Sequence, residues 1–263
     1  MSSRPLAVVT GASSGIGAAF ARKLAREGHD LLLVARREDR LRELAVKLEA
    51  DGAKCTTHAC DLSDPSQRER LCSDLRDRPR FAVLVHNAGF GVTGAVGVAD
   101  VTKLEDMAQV HVNTTIALTS VAAIRFREAG QGRIVVVSSI AGWLFGAGSA
   151  TYCATKAFQT SFTRSLAREL DGFGVKVLAL CPGYTRTEFH DTTEYADWNR
   201  GNVPAWMWST PETVVDHAWR DLEKGKSVCV PGWVNKVVVF LMSSGIASLV
   251  RERLRRRGAE SGR

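Results

Sequence analysis

Short apolar segments recur along the chain between longer segments with a helical pattern, and few folds accommodate such an alternation. Most of these segments are continuously apolar, as expected for strands that are buried on both faces of a sheet. Strands separated by helices pair in parallel through right-handed crossovers. The sequence therefore predicts an α/β fold in which a doubly wound parallel sheet carries helices on both faces. The predicted strands are residues 6–9, 31–34, 53–59, 81–85, 134–137, 175–180 and 228–230.

No internal repeat, low-complexity segment or linker divides the 263 residues, so we predict one domain, residues 1–263. The long irregular segment 184–210 is rich in aromatic residues and is a candidate substrate lid. Residues 234–263 are predicted to form an amphipathic basic tail. Its apolar face would pack on the body or on a second subunit, or make peripheral contact with an anionic membrane surface. Polar residues interrupt this tail too often for a transmembrane helix.

The net charge of +7 comes from 35 basic and 28 acidic residues. Residues 251–263 hold six arginines and two glutamates, so +4 of this charge lies in the tail and only +3 in the body. Because the body lacks a basic cluster and a recognition motif, we expect no nucleic-acid partner. The six cysteines are scattered and no cysteine or histidine has zinc-ligand spacing, so we expect no metal. No leader segment is recognisable, and the protein is expected to be cytoplasmic.

A glycine-rich segment, TGASSGIG at residues 10–17, joins the first predicted strand to the first predicted helix. Gly11 permits a tight turn, Gly15 lets the backbone approach a pyrophosphate, and Gly17 lets the helix pack closely on the sheet. The helix N-terminus adds free N–H donors for an anion. By itself the segment also fits an ordinary strand-to-helix turn. As a nucleotide site it would place Gly11, Ser13, Ser14, Gly15, Ile16 and Gly17 against a cofactor.

Further motifs follow this loop: Asn87-Ala88-Gly89, Asn113, Ser139, Tyr152-x-x-x-Lys156 and Pro182-Gly183. Together they resemble the short-chain dehydrogenase/reductase family over nearly the whole chain, although His86 stands where that family commonly has a second asparagine. The resemblance implies a Rossmann fold, a nicotinamide cofactor and hydride transfer between a carbonyl and an alcohol. It also implies a homo-oligomer, a dimer or tetramer, formed through the helices that carry Asn113 and Tyr152. The further cofactor contacts that it implies are Asp61, Leu62, Asn87, Ala88, Gly89, Tyr152, Lys156, Pro182, Gly183, Thr185 and Thr187.

Tyr152 and Lys156 are four residues apart, which places both side chains on one face of a helix. A phenol needs its pKa lowered by about 3 units from its ordinary value to exchange protons near neutrality. A cation about 4 Å away supplies a similar free energy at an effective dielectric constant of about 20. An ordinary surface pair is the alternative. Ser139 favours the active-site interpretation, because it follows a predicted strand and would lie at the carboxyl edge of the sheet.

Asn113 and Asp61 each have a second interpretation. Asn113 lies in an apolar helical stretch, where its amide fits a hydrogen bond between helices. The resemblance implies instead that it holds a water leading protons to Lys156, and both roles are compatible. The resemblance also places the Asp61 carboxylate against the adenine amine, whereas a helix cap is the alternative, for which Ser63 and Asp64 compete. The predicted catalytic residues are Asn113, Ser139, Tyr152 and Lys156.

Arg36 follows the second predicted strand, 19 residues after Gly17. NAD-selective folds commonly carry a carboxylate near this point for the ribose 2′-hydroxyl. A guanidinium instead binds a 2′-phosphate through charge-assisted hydrogen bonds. Arg36 and Arg37, with the hydroxyls of Ser13 and Ser14, therefore predict NADP(H), while the absence of a basic residue at position 14 leaves NAD(H) open. The alternative is that both arginines begin a solvated helix.

Bulky side chains are frequent in residues 143–145 and 184–210 and suit a large apolar substrate. Packing of the lid on the body would explain them equally well. The sequence thus predicts an NADP-dependent oxidoreductase that acts on a hydrophobic ketone or secondary alcohol. The alternatives are a non-catalytic dinucleotide-binding regulator and a protein associated with a membrane surface.

Overall fold

Seven parallel strands form the centre of the computed structural model, which describes residues 4–191, 201 and 203–244, apart from the side chain of His190. The strands pair in the order β3-β2-β1-β4-β5-β6-β7. A strand lies at each predicted position, so the predicted doubly wound parallel sheet is confirmed. The strands are β1 (Leu6–Thr10), β2 (Asp30–Ala35), β3 (Cys55–Ala59), β4 (Phe81–His86), β5 (Gly132–Val137), β6 (Val175–Leu180) and β7 (Val228–Cys229).

The helices between the strands begin and end where the local sequence favours it. Asp64 accepts backbone N–H bonds at the start of α3, where its side chain caps the first turn before Pro65. Thr210 caps α7 in the same way. Gly28 follows α1 with φ +85°, a left-handed conformation that favours glycine. The helices are α1 (Gly15–Arg26), α2 (Glu38–Ala50), α3 (Pro65–Asp77), α4 (Val101–Ala108), α5 (Thr114–Ala129), α6 (Ala150–Glu169), α7 (Pro211–Glu223) and α8 (Trp233–Ser243).

Two apolar cores hold the helices to the sheet, one on each face. Helices α1, α2 and α7 cover one face, with Phe20, Leu41 and Leu222 completely buried. Helices α3, α5 and α6 cover the other, where Leu71 and Phe126 are equally buried. Burial of each such side chain contributes roughly 1.5–3 kcal/mol. Both faces of the central strands are therefore covered, which explains their continuously apolar sequences.

The strand order reverses beside β1, which pairs with both β2 and β4. Successive crossovers therefore leave the centre of the sheet in opposite directions, and their helices diverge at the carboxyl edge. Open α/β sheets bind ligands in the crevice at this point. The glycine loop after β1 and the segment after β4 both open into it.

The chain between α4 and α5 departs from the predicted regular helix. Residues Gln109–Asn113 form a π-helical turn between the two α-helices. A π turn takes in one more residue than an α turn, so it rotates the following side chains by about 100° relative to a regular helix. This rotation decides which residue of the segment faces the site.

The lid and tail predicted from the sequence are only partly described. Short 3₁₀ turns lie at Glu188–His190 and Ala205–Met207, whereas residues 192–200 and 202 fall outside the described part of the chain. In the tail, α8 leaves Phe240 and Leu241 exposed, and residues 245–263 lie outside the described part. Among the described residues, no helix is long and apolar enough to span a membrane.

Candidate active site

A cavity of about 750 Å³ opens at the carboxyl edge of the sheet. Its walls come from the loops after β1, β2, β3, β4, β5 and β6, the start of α6, and α8. Every site residue predicted from the sequence lines it except Gly17 and Asn113. Residues that are far apart in the sequence thus meet in one cleft.

The glycine loop forms one wall and is held by the segment after β4. The Asn87 side-chain amide donates to the carbonyls of Thr10 (3.0 Å) and Gly11 (3.1 Å). Gly17 lies behind this wall, where a Cβ would collide with the Gly11 carbonyl, so its part is the predicted close packing of helix on loop. The Ser14 side chain makes no cap at the start of α1, and the first-turn amides of that helix remain available to an anion.

Two adjacent serines after β5 have different surroundings. Ser138 is buried, and its hydroxyl donates to the Lys156 carbonyl at 2.7 Å, as expected for a structural residue at a strand end. The Ser139 hydroxyl oxygen accepts the Ala141 N–H at 3.1 Å. Its own proton has no acceptor in the described chain, so the Ser139 hydroxyl can donate to a ligand oxygen in the cleft.

Tyr152 and Lys156 lie on the face of α6 that lines the cavity. The Lys156 ammonium nitrogen is 5.9 Å from the centre of the Tyr152 ring. It donates to the Val137 carbonyl (3.1 Å) and to Gln159 Oε1 (2.8 Å). Burial lowers the pKa of Lys156 to about 7, because the charged form is costly to desolvate. The alternative of a surface pair is therefore wrong for this lysine.

Asn113 is not part of this constellation. Its side chain is exposed and donates to Gln109 Oε1 at 2.8 Å on its own helical turn. The prediction that this side chain serves the site is thus not supported, and neither is the predicted hydrogen bond between helices. On the same π turn, His111 is buried and Asn113 is exposed.

His111 is one of two residues that sequence reasoning missed. It is fully buried beside the site, with its ring centre 5.9 Å from that of Tyr152. Burial, together with the charge of Lys156 and the neighbouring His86, holds the pKa of His111 well below its usual value. Burial also lowers the pKa of His86 to about 3. Both imidazoles are therefore neutral at physiological pH.

The opposite end of the cleft carries arginines. Arg37 donates to the hydroxyls of Ser13 and Ser14, both at 3.1 Å, and pairs with Glu188 at 2.9 Å. Arg36 lines the cavity, and no described residue forms an ion pair or hydrogen bond with it. Arg37 is exposed at the start of α2, as that alternative expects, and its hydrogen bonds also bridge the glycine loop and the lid segment.

Glu188 was not anticipated from the sequence. Its carboxylate joins Arg37 and Arg40, each at 2.9 Å. The hydrogen bond from Arg37 holds the pKa of Glu188 below its usual range. Thr187, beside it, lies so close to Gly15 that a Cβ there would be 2.8 Å from the threonine methyl. The lid segment is therefore seated directly on the glycine loop.

Asp61 faces the cavity and stabilises the turn after β3. It accepts hydrogen bonds from the Ser63 N–H (3.0 Å) and hydroxyl (2.8 Å). Asp64, and not Asp61, caps the next helix. The Thr185 hydroxyl donates to the Gly183 carbonyl at 3.1 Å, which shapes the loop after β6.

Comparison with known proteins identifies the family to which the chain belongs. A sequence profile described as short chain dehydrogenase matches residues 5–197. The chain belongs to this family of oxidoreductases. A gluconate 5-dehydrogenase of Gluconobacter oxydans is 30% identical over 217 residues, which cover 81% of this chain and 85% of that protein.

Two solved dehydrogenases resemble it in structure. One, from Sphingobium yanoikuyae in complex with NADPH, is 30% identical with a TM-score of 0.83, covering 94% of this chain and 95% of its own. The other is a bulky-bulky ketone specific alcohol dehydrogenase from Comamonas testosteroni, 28% identical with a TM-score of 0.78 and the same coverage. Both confirm the predicted Rossmann-type fold of a short-chain dehydrogenase.

The side of the dehydrogenase cavity beyond Ser139 and Tyr152 is largely apolar. Of the bulky residues in the two predicted segments, Leu144, Tyr184, Phe189 and Met207 line the cavity. Trp208 instead packs against Tyr184, with ring centres 5.5 Å apart. Some bulky residues of these segments thus line the cavity and others pack on one another, and both interpretations stay predictions. Trp206 and Phe145 are exposed, and Tyr195 and Trp198 lie outside the described residues.

Proposed function

We propose that this dehydrogenase transfers a hydride between NADP(H) and a bulky hydrophobic ketone or secondary alcohol. One observation carries the proposal: the Ser139 hydroxyl, Tyr152 and Lys156 line the same cleft as the glycine loop and Arg36. The cleft therefore combines proton-exchanging groups with a surface for a phosphorylated nucleotide. A non-catalytic regulator would have no use for a lysine buried at such a cost beside a tyrosine.

The residues present fit a nicotinamide dinucleotide. The first-turn amides of α1 are uncapped, and Gly11 and Gly15 let backbone approach a pyrophosphate. The cofactor supplies the hydride chemistry when bound. The protein's part is binding, orientation and the transfer of a proton.

Three side chains carry out that part. Ser139 donates its free hydroxyl proton to the carbonyl oxygen of the substrate and orients it. Tyr152 donates its phenolic proton to the same oxygen in reduction and removes it in oxidation. Lys156 favours the phenolate through its positive charge, and two of its three N–H groups are engaged by Val137 and Gln159. The remaining N–H is left for a ribose hydroxyl.

The arginine-lined end supports NADP(H) over NAD(H). Arg36 has no described partner, Arg37 is already oriented by Ser13 and Ser14, and both line the cavity. A 2′-phosphate would find two guanidinium groups and hydroxyl donors there. The Sphingobium relative binds NADPH, which agrees with this preference.

The apolar wall supports a bulky substrate. Phe90, Leu144, Phe189, Met207 and Val238 border the cavity, and a small polar substrate would leave these surfaces without contacts. The bulky-ketone specificity in the name of the Comamonas relative agrees with this, whereas the gluconate relative acts on a small polar acid.

The test is a substrate panel with NADPH and NADP as cofactors. We expect kcat/KM for bulky aryl or alicyclic ketones to exceed that for gluconate-like sugars by at least about tenfold, the discrimination that one or two buried apolar groups provide. The Leu144→Ser variant should narrow this difference, while Val46→Ser, at an exposed site on α2, should not. Faster turnover of small sugar acids would reject the substrate class but leave the redox function intact.

We also propose the homo-oligomer that the resemblance implies, formed through α5, which follows Asn113, and α6, which carries Tyr152. Ile116 and Ile124 are exposed on α5, an arrangement that favours burial against another subunit. Light scattering after size-exclusion chromatography should give a mass of two or four chains. A monomer at micromolar concentration would refute this.

A further inference from the structure

Two buried nitrogen atoms behind the cleft have no hydrogen-bond partner in the described chain. They are Nε2 of His86 and Nε2 of His111, and both rings are completely buried. An unpaired buried polar group destabilises the folded protein, so such atoms call for an explanation. The two histidines lie on different elements, β4 and the π turn. Their surroundings determine what each nitrogen offers.

We infer the tautomer of His111 from the hydrogen bonds around Thr155. The Thr155 hydroxyl donates its single proton to the Tyr152 carbonyl at 3.0 Å. It also lies 2.9 Å from His111 Nδ1, so in that bond the hydroxyl oxygen accepts and Nδ1 carries the proton. In a neutral imidazole the other nitrogen then bears a lone pair. His111 Nε2 is therefore a buried acceptor.

His86 has the opposite tautomer. The Thr10 hydroxyl oxygen accepts N–H bonds from Asn87 and Ala88, both at 3.0 Å, and so donates its proton to His86 Nδ1 at 3.1 Å. Its Nε2 accordingly carries a proton, and the nearby Val110 carbonyl favours that proton. Of the two unpaired nitrogens, only that of His111 presents a lone pair to its surroundings.

That lone pair and the Lys156 ammonium border the same small space. A Cβ placed on Gly89 would lie 2.7 Å from His111 Nε2 and 3.6 Å from Lys156 Nζ. Because residue 89 is glycine, it places no side chain between these two nitrogens. A lone pair is the negative end of the imidazole dipole, and in a buried site it stabilises a neighbouring positive charge strongly.

We propose that His111 is a positioning residue for Lys156: its neutral imidazole, anchored by Thr155, turns the Nε2 lone pair toward the buried ammonium across the space beside Gly89 and keeps that lysine charged. A charged lysine in turn favours the phenolate of Tyr152. The inference deepens the proposed redox role of Tyr152 and Lys156 and rests on it. The titratable groups that face His111 are His86 from β4 and Tyr152 and Lys156 from α6.

The direct test is the pKa of Lys156 in the cofactor-free protein, followed by NMR of ¹³Cε-labelled lysine and assigned with Lys156→Met. His111→Phe keeps a ring but removes the acceptor, and we expect it to lower this pKa by about one unit or more. In His111→Gln the amide oxygen can occupy the place of Nε2, so the Lys156 pKa should stay close to its wild-type value. Thr155→Val removes the hydroxyl that holds His111 Nδ1, and its Lys156 pKa should lie between those of the wild type and His111→Phe.

A packing role predicts the reverse order, because phenylalanine would then replace histidine better than glutamine does. That order, or an unchanged Lys156 pKa in both His111→Phe and Thr155→Val, would overturn the proposal. His29→Phe is the matched control. His29 is also buried, but its Nδ1 is bonded to the Leu24 carbonyl far from the cleft, and this variant should leave Lys156 unchanged.

The pH profile of alcohol oxidation provides a second readout. Loss of charge on Lys156 raises the pKa of the Tyr152 phenol, so the acid limb of kcat should move to higher pH in His111→Phe and return in His111→Gln. A uniform loss of kcat with an unmoved limb would contradict the proposal. Failure of the proposed function is distinguishable, because Tyr152→Phe would then keep its turnover whatever the Lys156 titration shows.

Discussion

The two ends of the cleft handle charge in opposite ways. At the reaction end, formed by Ser139, Tyr152, Lys156 and His111, Lys156 and His111 are buried, and the pKa values of both are lowered by desolvation. At the arginine end, formed by Arg36, Arg37, Arg40 and Glu188, the paired guanidinium groups and the carboxylate are each close to half exposed. A charged group is thus desolvated and costly at the reaction end, whereas the charged groups at the arginine end remain partly solvated.

This difference separates the two tasks of a redox site. Proton exchange near neutrality requires groups with shifted pKa values, and burial provides the shift. Reversible binding of a phosphate requires charges that give up one partner for another at little cost, which exposed ion pairs allow. We therefore expect variants at the reaction end to lower turnover and variants at the arginine end to change cofactor binding.

The largest effect is expected at the reaction end. Tyr152→Phe removes the proton donor but keeps the ring and the Lys156 contacts, so turnover should fall by about 10²–10⁴-fold or more. Affinity for NADPH, measured by fluorescence titration, should stay within a few fold of wild type. Turnover equal to that of the unaltered protein would show that this tyrosine is not the proton donor.

At the arginine end, Arg36→Ala should act on binding alone and on one cofactor. Loss of a charge-assisted contact to the 2′-phosphate, worth about 1.5–3 kcal/mol, should raise KM for NADPH roughly 10–100-fold. KM for NADH should hardly change. Arg42→Ala is the control, because the one ion pair of Arg42 among the described residues is with Glu38 on the exposed side of α2. Equal changes for both cofactors would rule out phosphate binding here.

The cost of the buried ammonium should appear in stability. The folded pKa of Lys156, about 7, lies below the unfolded value of 10.5, so the unfolded chain binds more protons between these pH values. Stability from this group therefore rises with pH across that window. From pH 7 to 9 the wild type should gain about 2 kcal/mol of unfolding free energy that Lys156→Met lacks.

Urea unfolding at the two pH values measures this gain. Lys224→Met, at an exposed position after α7, should keep the wild-type pH dependence. If Lys156→Met kept it as well, the lysine would have an ordinary pKa and the contrast between the two ends would disappear.

The smallest effect is expected from Glu188→Gln. The carboxylate occupies Arg37 and Arg40 and would repel a 2′-phosphate, so its removal should lower KM for NADPH about two- to fivefold, the range of exposed ion pairs. KM for NADH should stay constant, and Glu38→Gln should change neither. A higher KM for NADPH would show that Glu188 supports the cofactor site and does not compete for it.

Much of the cleft was predictable because its signals are local. Three of these signals, the glycine loop, the serine after β5 and the Tyr152–Lys156 spacing, each span only a few residues of sequence. The carboxyl ends of the strands then bring all three to one edge of the sheet. The predicted contribution of Asn113 is the exception, because its side chain is exposed and bonds to Gln109 on its own turn. Helical periodicity assumes an unbroken α-helix, whereas residues Gln109–Asn113 form a π turn on which His111 is the buried residue.

Sequence alone determined the parallel sheet, its order of elements and the segments that reach its carboxyl edge, because continuous apolar runs, capping residues and glycines act through their immediate neighbours. The tertiary structure decided which charges are buried and which are paired. Glu188 meets Arg37 across 151 residues, and Lys156 loses its solvent only when β5 and α6 pack together. Such contacts depend on how whole helices and strands pack. A local sequence pattern does not determine the distance between two charged groups that are remote in the sequence, or the dielectric environment that packing creates around them.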